Sequence, residues 1–115
     1  MRQDSNKLIR NISAVLILTG LANVNLAMAD GAEIYNSTCI ACHGEDGKGV
    51  LPGVPDFTES AGRLSKPMDE LFNNVVNGFQ SPGSPMAMPA KGGNTSMSNE
   101  DVKAVLKYMK QEFSK

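Results

Sequence analysis

Residues 39–43 read Cys39-Ile40-Ala41-Cys42-His43, and this short stretch decides which fold to expect. Two thiols three positions apart lie on neighbouring faces of one helical turn, where each can add to one vinyl group of a porphyrin. The next residue places an imidazole under the iron, and histidine is the usual first ligand of haem iron. C-x-x-C-H is the spacing of c-type haem attachment. The segment therefore predicts one covalent haem c bound by Cys39, Cys42 and His43.

Three other chemistries use closely spaced cysteines, and each fits this chain less well. A thioredoxin-like C-x-x-C needs a βαβ pattern around it, which the sequence does not show. A structural zinc site takes four ligands, and the chain has only two cysteines and one histidine. A disulfide between the two cysteines gives no role to His43. Haem attachment is the interpretation that uses all three residues.

The first 29 residues have the order of regions found in a secretory signal peptide. A basic start is followed by a mostly apolar stretch over residues 12–26 and by the small-x-small sequence Ala27-Met28-Ala29. Polar residues such as Thr19 and Asn23 interrupt the apolar stretch, so it is a poor match to the ~20 apolar residues of a membrane span. We expect cleavage after Ala29; a retained membrane anchor is the alternative.

Cleavage at this point would leave a single domain of residues 30–115. Loss of three basic residues and one acidic residue leaves eight lysines and arginines against eleven aspartates and glutamates, so the formal charge of the domain is −3. This balance provides no basic surface for nucleic acid. The chain has only four phenylalanines, two tyrosines and no tryptophan. Because so short a domain buries little apolar surface of its own, it commonly needs a cofactor, metal or disulfide in its core.

Helix-forming patterns and turn-forming residues predict an all-α domain with no strand. The first helix covers residues 32–42, with Asp30 as its N-cap, and Gly44 ends it. The stretch of residues 45–55 is dense in glycine and proline and is therefore predicted to be a loop.

Two further helices follow the loop. Ser65 is the predicted N-cap of the second, with Pro67 in its first turn and Gly78 after its last. Residues 79–95 are predicted to be loop, and the last helix starts at Ser98 with Asp101 completing a capping box. Apolar residues recur at helical spacing in both helices, and two methionines of these stripes, Met68 and Met109, are predicted to pack in the core.

The chain resembles the monohaem class I c-type cytochromes over nearly all of residues 30–115. The likeness rests on four features: residues 39–44, the loop from Gly47-Lys48-Gly49 to Pro55, the segment Met88-Pro89-Ala90, and a closing helix with Tyr108. The resemblance implies a small fold of about three to four helices around one haem. It also implies that the first and last helices cross near Tyr35 and Tyr108.

A methionine is the expected sixth iron ligand, because His43 is the only histidine in the chain. Of the five methionines after residue 29, Met97 precedes a helix and has no other distinguishing feature. Met86 and Met88 share one loop, and either thioether suits iron. Met88 is followed by proline, the setting in which the resembled family commonly carries its ligand. Met88 is therefore the predicted ligand, with Met86 as the alternative and ligation by both in turn as a further hypothesis.

The resemblance also implies a partner for the second nitrogen of His43. In that family a proline carbonyl in the loop after the motif accepts the imidazole N–H, which fixes the tautomer. Pro55 fits this position best, and Pro52 is the alternative. Either proline could instead only shape the loop.

An iron with two protein ligands exchanges electrons with little rearrangement, so the predicted function is electron transfer in the periplasm and not catalysis. The expected partners are a dehydrogenase or membrane complex as donor and an oxidase or reductase as acceptor, docking weakly on a monomer at an exposed haem edge. Small residues should ring this edge: Gly83, Ser84, Ala87 and Ala90. A haem-based sensor of small ligands and a haem subunit of a larger redox enzyme are the alternatives.

Overall fold

The computed structural model describes residues 30–115, and the predicted signal peptide, residues 1–29, lies outside the described residues. Four α-helices are found in this part of the chain: α1 (Gly31–Ile34), α2 (Ile40–His43), α3 (Met68–Asn77) and α4 (Asn99–Phe113). Short 3₁₀ turns cover Arg63–Ser65 and Ala90–Gly93. The predicted all-α fold is confirmed.

The first predicted helix is one continuous helical segment over residues 31–43 with a wider turn in its middle. A π turn at Tyr35–Cys39 joins α1 to α2. The Asp30 side chain caps the start by accepting the Ala32 amide at 3.0 Å. Gly44, at φ 81°, ends the segment in a conformation that other residues rarely adopt. The π turn was not predicted, and such turns are frequent next to functional sites.

The start of α3 differs from the prediction. Ser65 is not the N-cap; its hydroxyl donates to the Gly62 carbonyl at 2.7 Å inside the 3₁₀ turn. Lys66 is extended, as proline sterically requires of the residue before it, so Pro67 is itself the N-cap and lies before the first turn. Its carbonyl accepts the Leu71 amide at 3.1 Å. Gly78, at φ 80°, ends the helix as predicted.

The start of α4 is as predicted. Ser98 and Asp101 form a reciprocal capping box: the Asp101 amide donates to the Ser98 hydroxyl at 3.1 Å, and the Ser98 amide donates to the Asp101 carboxylate at 2.9 Å. Helix α4 packs against α1 and α3. Its buried face carries the predicted stripe of Val102, Val105, Leu106 and Met109. Met68, by contrast, is the first residue of α3 and is 41 % exposed, so its prediction as a core residue was wrong.

The crossing of α1 and α4 lies at the tyrosines that the resemblance indicated. The Tyr35 and Tyr108 ring centroids are 5.7 Å apart, and Tyr35 is fully buried. Gly31 lets the two backbones approach closely, because a Cβ there would overlap the Ala104 carbonyl oxygen and lie 2.8 Å from Tyr108 Cβ. The crossing thereby fixes the start of the helical segment that carries residues 39–43.

Candidate haem site

A deep, mainly apolar cleft opens between the helical segment of residues 31–43, α3, α4 and the loop of residues 79–89. All three residues of the attachment motif border this cleft, together with both candidate methionines: Cys39, Cys42, His43, Met86 and Met88.

One side of the cleft, the His43 side (residues 31–57), is held by several backbone hydrogen bonds. The His43 carbonyl accepts the Gly49 amide at 2.8 Å, and the Cys42 carbonyl accepts the Val50 amide at 3.0 Å. The loop that follows the motif thus folds back onto the turn that carries it. His43 is buried, with 8 % of its surface exposed. Cys39 is half-buried and Cys42 is exposed, and no disulfide joins them.

The His43 imidazole packs on an aromatic ring that the sequence prediction did not single out. It stacks on Phe57 with ring centroids 4.5 Å apart and planes inclined by 19°. Burial lowers the pKa of His43 to about 4. The imidazole is therefore neutral at pH 7, which is the form that ligates metals. Its Nδ1 atom is buried without a hydrogen-bond partner among residues 30–115.

The thiol of Cys39 also lies in a desolvated position. Burial, with a smaller contribution from the neighbouring Cys42, raises the pKa of Cys39 to about 11. The charged thiolate is disfavoured there because the surroundings are largely apolar. Cys39 consequently enters the cleft as an uncharged thiol near neutral pH.

The opposite side of the cleft, the Met88 side (residues 79–97), is mostly loop. Met88 is held at one point by a two-bond bridge: its amide donates to the Phe79 carbonyl at 2.8 Å, and the Phe79 amide donates to the Met88 carbonyl at 3.0 Å. Met88 is partly buried, whereas Met86 is 42 % exposed. Within the predicted loop of residues 79–95, a tight turn spans Ala90–Gly93, where Lys91 and Gly92 have positive φ values of 54° and 62°.

The two proline candidates for the His43 partner occupy different places. Pro55 borders the cleft, whereas Pro52 is exposed and is not among the cleft residues. No hydrogen bond from His43 Nδ1 to either carbonyl is present within the described chain. The role of Pro55 stays a prediction.

Several cleft residues were not identified from the sequence. Phe57, Leu64 and Met97 are each buried at 4 % exposure, and Arg63 and Lys91 supply the positive charges. The only sequence signal for Phe57 was a lone aromatic residue after a proline-rich loop. Met97 had no such signal, because its burial depends on how the segment before α4 folds over the cleft.

The residues of the cleft fit a haem and do not fit the rival zinc site. Two thiols and a neutral imidazole line one apolar cleft, and the imidazole has a buried nitrogen without a partner. Haem c requires this donor set. A structural zinc site would need four ligands. Within residues 30–115, no three His, Cys, Asp or Glu side chains are placed so that they could hold a metal ion.

Comparison with known proteins also supports a haem site. A model of the family described as cytochrome c oxidase, cbb3-type, subunit III, matches residues 26–109. The chain belongs to this family of cytochrome c domains. Its cofactor is therefore covalent haem c, and Cys39, Cys42 and His43 fit the C-x-x-C-H motif of haem c attachment.

Two relatives are small cytochromes. The cytochrome is 32 % identical to cytochrome c-555 of Chlorobaculum tepidum over 98 residues, covering 85 % of this chain and 87 % of that protein. It is 30 % identical to chloroplastic cytochrome c6 of Chlamydomonas reinhardtii over 98 residues, covering 84 % of this chain and 63 % of that protein. These names are those of electron-transfer cytochromes, which agrees with the predicted class of function.

A solved structure shares the fold. The crystal structure of the c-type cytochrome XoxG from Methylobacterium extorquens AM1 superposes with a TM-score of 0.50 at 25 % identity. The match covers 73 % of this chain and 49 % of XoxG, so this cytochrome spans about half the length of that chain. Within residues 30–115, no helix has both the length and the apolar character needed to cross a membrane.

Proposed function

We propose that this cytochrome is a periplasmic carrier of single electrons, with its haem iron ligated by His43 and Met88. The observation that carries the proposal is that the chain's only histidine and the partly buried Met88 border one cleft. Two protein ligands leave no open position for a substrate, and a haem so ligated supplies reversible one-electron chemistry.

The residues of the His43 side perform the attachment and the first ligation. The Cys39 and Cys42 thiols would hold the haem covalently, each through a thioether bond to one of its vinyl groups. Neutral His43 offers a nitrogen lone pair, and its packing on Phe57 restricts rotation of the ring. We expect Nδ1 of His43 to donate to the Pro55 carbonyl in the loaded protein, since that nitrogen is buried and needs an acceptor.

The Met88 side supplies the second ligand and part of the docking surface. The bridge to Phe79 holds the Met88 backbone, and Pro89 restricts the chain just after it. The rim residues Gly83, Ala87 and Ala90 are exposed, and Ser84 is partly buried. Such small side chains let a partner approach the cleft mouth closely. Redox encounters of this kind bury less than about 1,200 Å² in total.

The optical spectrum of the exported protein tests ligation directly, with Met88→Ala and Met86→Ala as a matched pair. The parent and Met86→Ala are expected to show the thioether-to-iron absorption band in the oxidised form and to leave carbon monoxide unbound when reduced. Met88→Ala should lose the band and bind carbon monoxide. Retention of the band in Met88→Ala would show that Met86 ligates, alone or in turn with Met88. Carbon monoxide binding by the parent would favour the sensor function instead.

Location is tested by cell fractionation and intact mass. The haem-containing protein is expected in the periplasmic fraction, starting at Asp30 and carrying the mass of one haem. A membrane-bound form that retains residues 1–29 would contradict the signal-peptide prediction.

A haem subunit of a larger redox enzyme is the second candidate. The observation that favours it is the description of the matching family as an oxidase subunit. Such a subunit would co-purify stoichiometrically with its enzyme from the native membrane or periplasm. A free carrier would elute as a monomer at the mass of one domain.

A further inference from the structure

Thr38, the residue before Cys39, joins the two sides of the cleft. It lies in the π turn of the helical segment, is partly buried and borders the cleft. Its methyl group packs closely on Gly92, because a Cβ added there would lie 3.0 Å from Thr38 Cγ2. Its hydroxyl accepts a hydrogen bond from the Asn94 side-chain amide at 3.3 Å. Thr38 thus holds two points of the turn that begins the other wall of the cleft.

The turn that Thr38 holds comes directly after Met88. The Gly92 amide donates to the Pro89 carbonyl at 3.0 Å, and Pro89 is the next residue after Met88. Because the proline ring fixes its own φ angle, this stretch of chain has few soft dihedral angles in which a shift at Gly92 could be absorbed. A displacement of Gly92 from Thr38 is therefore transmitted to the backbone of Met88.

The end of α3 holds Met88 from another direction. Besides the two-bond bridge already described, a Cβ added at Gly78 would lie 2.8 Å from the Met88 carbonyl oxygen and 3.0 Å from the Ala90 amide nitrogen. These contacts place the backbone around Met88 against α3, which carries no part of the attachment motif. The contacts of Thr38 place the following turn against the helical segment that does carry the motif.

The position of Thr38 in the sequence relates these contacts to iron ligation. The next residue, Cys39, belongs to the motif that binds haem covalently, so the turn after Met88 is held beside a point where the chain is joined to its cofactor. Loss of the Thr38 contacts leaves Met88 to its contacts with α3, and conformations in which the thioether lies away from the iron become more populated. A competing ligand that binds those conformations then binds more tightly, in proportion to their population.

We propose that Thr38 is a positioning residue for Met88, and that its packing on Gly92 and its hydrogen bond from Asn94 keep the sixth iron position closed. The inference rests on the ligation by Met88 proposed above. The two contacts can be separated by substitution: serine at this position keeps the hydroxyl and removes the methyl group, whereas valine keeps the methyl group and removes the acceptor.

The test is the affinity of the oxidised, haem-loaded protein for imidazole, which competes with a methionine thioether for the iron. Gly92→Ala and Gly93→Ala form a matched pair, because both glycines have positive φ, 62° and 84°, and alanine strains the backbone at each. A Cβ at Gly92 meets Thr38. Around Gly93, no atom of residues 30–115 beyond its chain neighbours lies within 4 Å of an added Cβ.

We expect Gly92→Ala to bind imidazole about tenfold more tightly than the parent, because the added methyl group pushes the turn away from Thr38. Gly93→Ala should stay within about twofold of the parent, since its backbone strain is present whether or not the thioether is bound. Thr38→Val should bind imidazole about two- to fivefold more tightly than the parent, as expected for the loss of one partly exposed hydrogen bond.

A rescue variant identifies Thr38 as the residue through which Gly92 acts. Thr38→Ser removes the Cγ2 atom that the new Cβ would meet and keeps the hydroxyl for Asn94. In the double variant, Gly92→Ala with Thr38→Ser, the imidazole affinity should return to within about twofold of Thr38→Ser alone, since contacting residues give non-additive effects. Denaturant unfolding of each variant shows whether stability changes separately from ligation.

Equal imidazole affinities for Gly92→Ala and Gly93→Ala would overturn the proposal, as would a double variant that binds imidazole as tightly as Gly92→Ala. A contact that only stabilises the fold would lower the free energy of unfolding of Gly92→Ala and leave its imidazole affinity at the parent value. If Gly92→Ala does not accumulate, Thr38→Val decides, and an unchanged imidazole affinity then overturns the role of Thr38.

The parent protein is first checked for the thioether-to-iron band. A parent that shows the band, with variants that all bind imidazole alike, would leave the proposed ligation standing and remove only the role of Thr38. A parent without the band would contradict the ligation itself, and this inference would be overturned together with the proposed function.

Discussion

The two sides of the cleft are built differently although both supply an iron ligand in the proposed site. On the His43 side, a helix, a folded-back loop and a stacked phenylalanine surround one buried imidazole. On the Met88 side, a loop is held at one bridge, and Met86 beside it is largely open to solvent. His43 is thus positioned by packing, whereas Met88 is positioned by a short loop. We expect truncation of the ring that packs on His43 to reduce stability more than truncation of the residues that hold the loop around Met88.

Phe57→Ala should produce the largest loss of stability. Phe57 is 4 % exposed and contacts both His43 and Phe113, so its truncation should lower the free energy of unfolding by about 3–5 kcal/mol. The matched change on the other side is Phe79→Ala, where the ring is only partly buried and the loss should be smaller. Denaturant unfolding of both haem-loaded variants measures the two losses in the free energy of unfolding. Equal losses would remove the proposed difference between the two sides.

Gly31→Ala tests whether the helix crossing supports the His43 side. In a helix, alanine is ordinarily more stable than glycine by roughly 0.8–1.0 kcal/mol. Here the added methyl would overlap the Ala104 carbonyl oxygen, so a loss of about 1–3 kcal/mol is expected instead. Glu33→Ala, at an exposed position of the same helix, is the control and should change the free energy of unfolding by less than about 0.5 kcal/mol. A stabilised Gly31→Ala would show that the crossing is looser than described.

Tyr35→Phe should have a smaller, pH-dependent effect on the free energy of unfolding. The Tyr35 hydroxyl donates to the Gly44 carbonyl at 2.6 Å, which ties the helix to the loop after the motif. Its loss should cost about 1 kcal/mol at pH 7, because the carbonyl also accepts the Gly47 amide. Burial is the main cause that raises the pKa of Tyr35 far above its usual value near 10.

The sign of the pH dependence follows from that raised pKa. The unfolded chain loses its tyrosine proton at about pH 10, while the folded protein retains it, so the contribution of Tyr35 to stability is complete below pH 10 and declines above it. The difference in unfolding free energy between the parent and Tyr35→Phe should therefore narrow between pH 7 and pH 11. Tyr108→Phe serves as the control for removal of a tyrosine hydroxyl. A difference that stays constant with pH would show that Tyr35 is less buried than described.

Met86→Ala should change stability least. Because 42 % of the Met86 surface is exposed, its truncation to alanine should change the free energy of unfolding by no more than about 0.5 kcal/mol. Met97, which is 4 % exposed on the same side, is its matched comparison, and Met97→Ala should cost about 2–5 kcal/mol. The pair tests whether weak packing on the Met88 side is limited to the exposed loop around Met86. A large effect of Met86→Ala would show that this methionine packs inward when haem is bound.

Short-range sequence signals predicted the helices well. Asp30, Ser98, Gly44 and Gly78 act at the helix ends where the pattern placed them, because capping depends on residues only a few positions apart. The error at Ser65 has the same local origin: both a serine and a proline signal a helix start, and the steric effect of Pro67 decided the boundary. The prediction that Met68 packs in the core was wrong, because helical spacing identifies a stripe of apolar residues but not how far a partner helix extends over that stripe.

The sequence by itself determined the cofactor and the all-α domain, because C-x-x-C-H places its reactive groups within one helical turn and the helix ends are signalled locally. Only the tertiary structure brought Phe57 onto His43 and Arg63 into the cleft, since these residues lie 14 and 20 positions beyond His43 and no local rule relates them to it. The preference for Met88 over Met86 came from the family resemblance. The structure adds the bridge to Phe79 and the difference in burial between the two methionines, which depend on how a loop closes over α3.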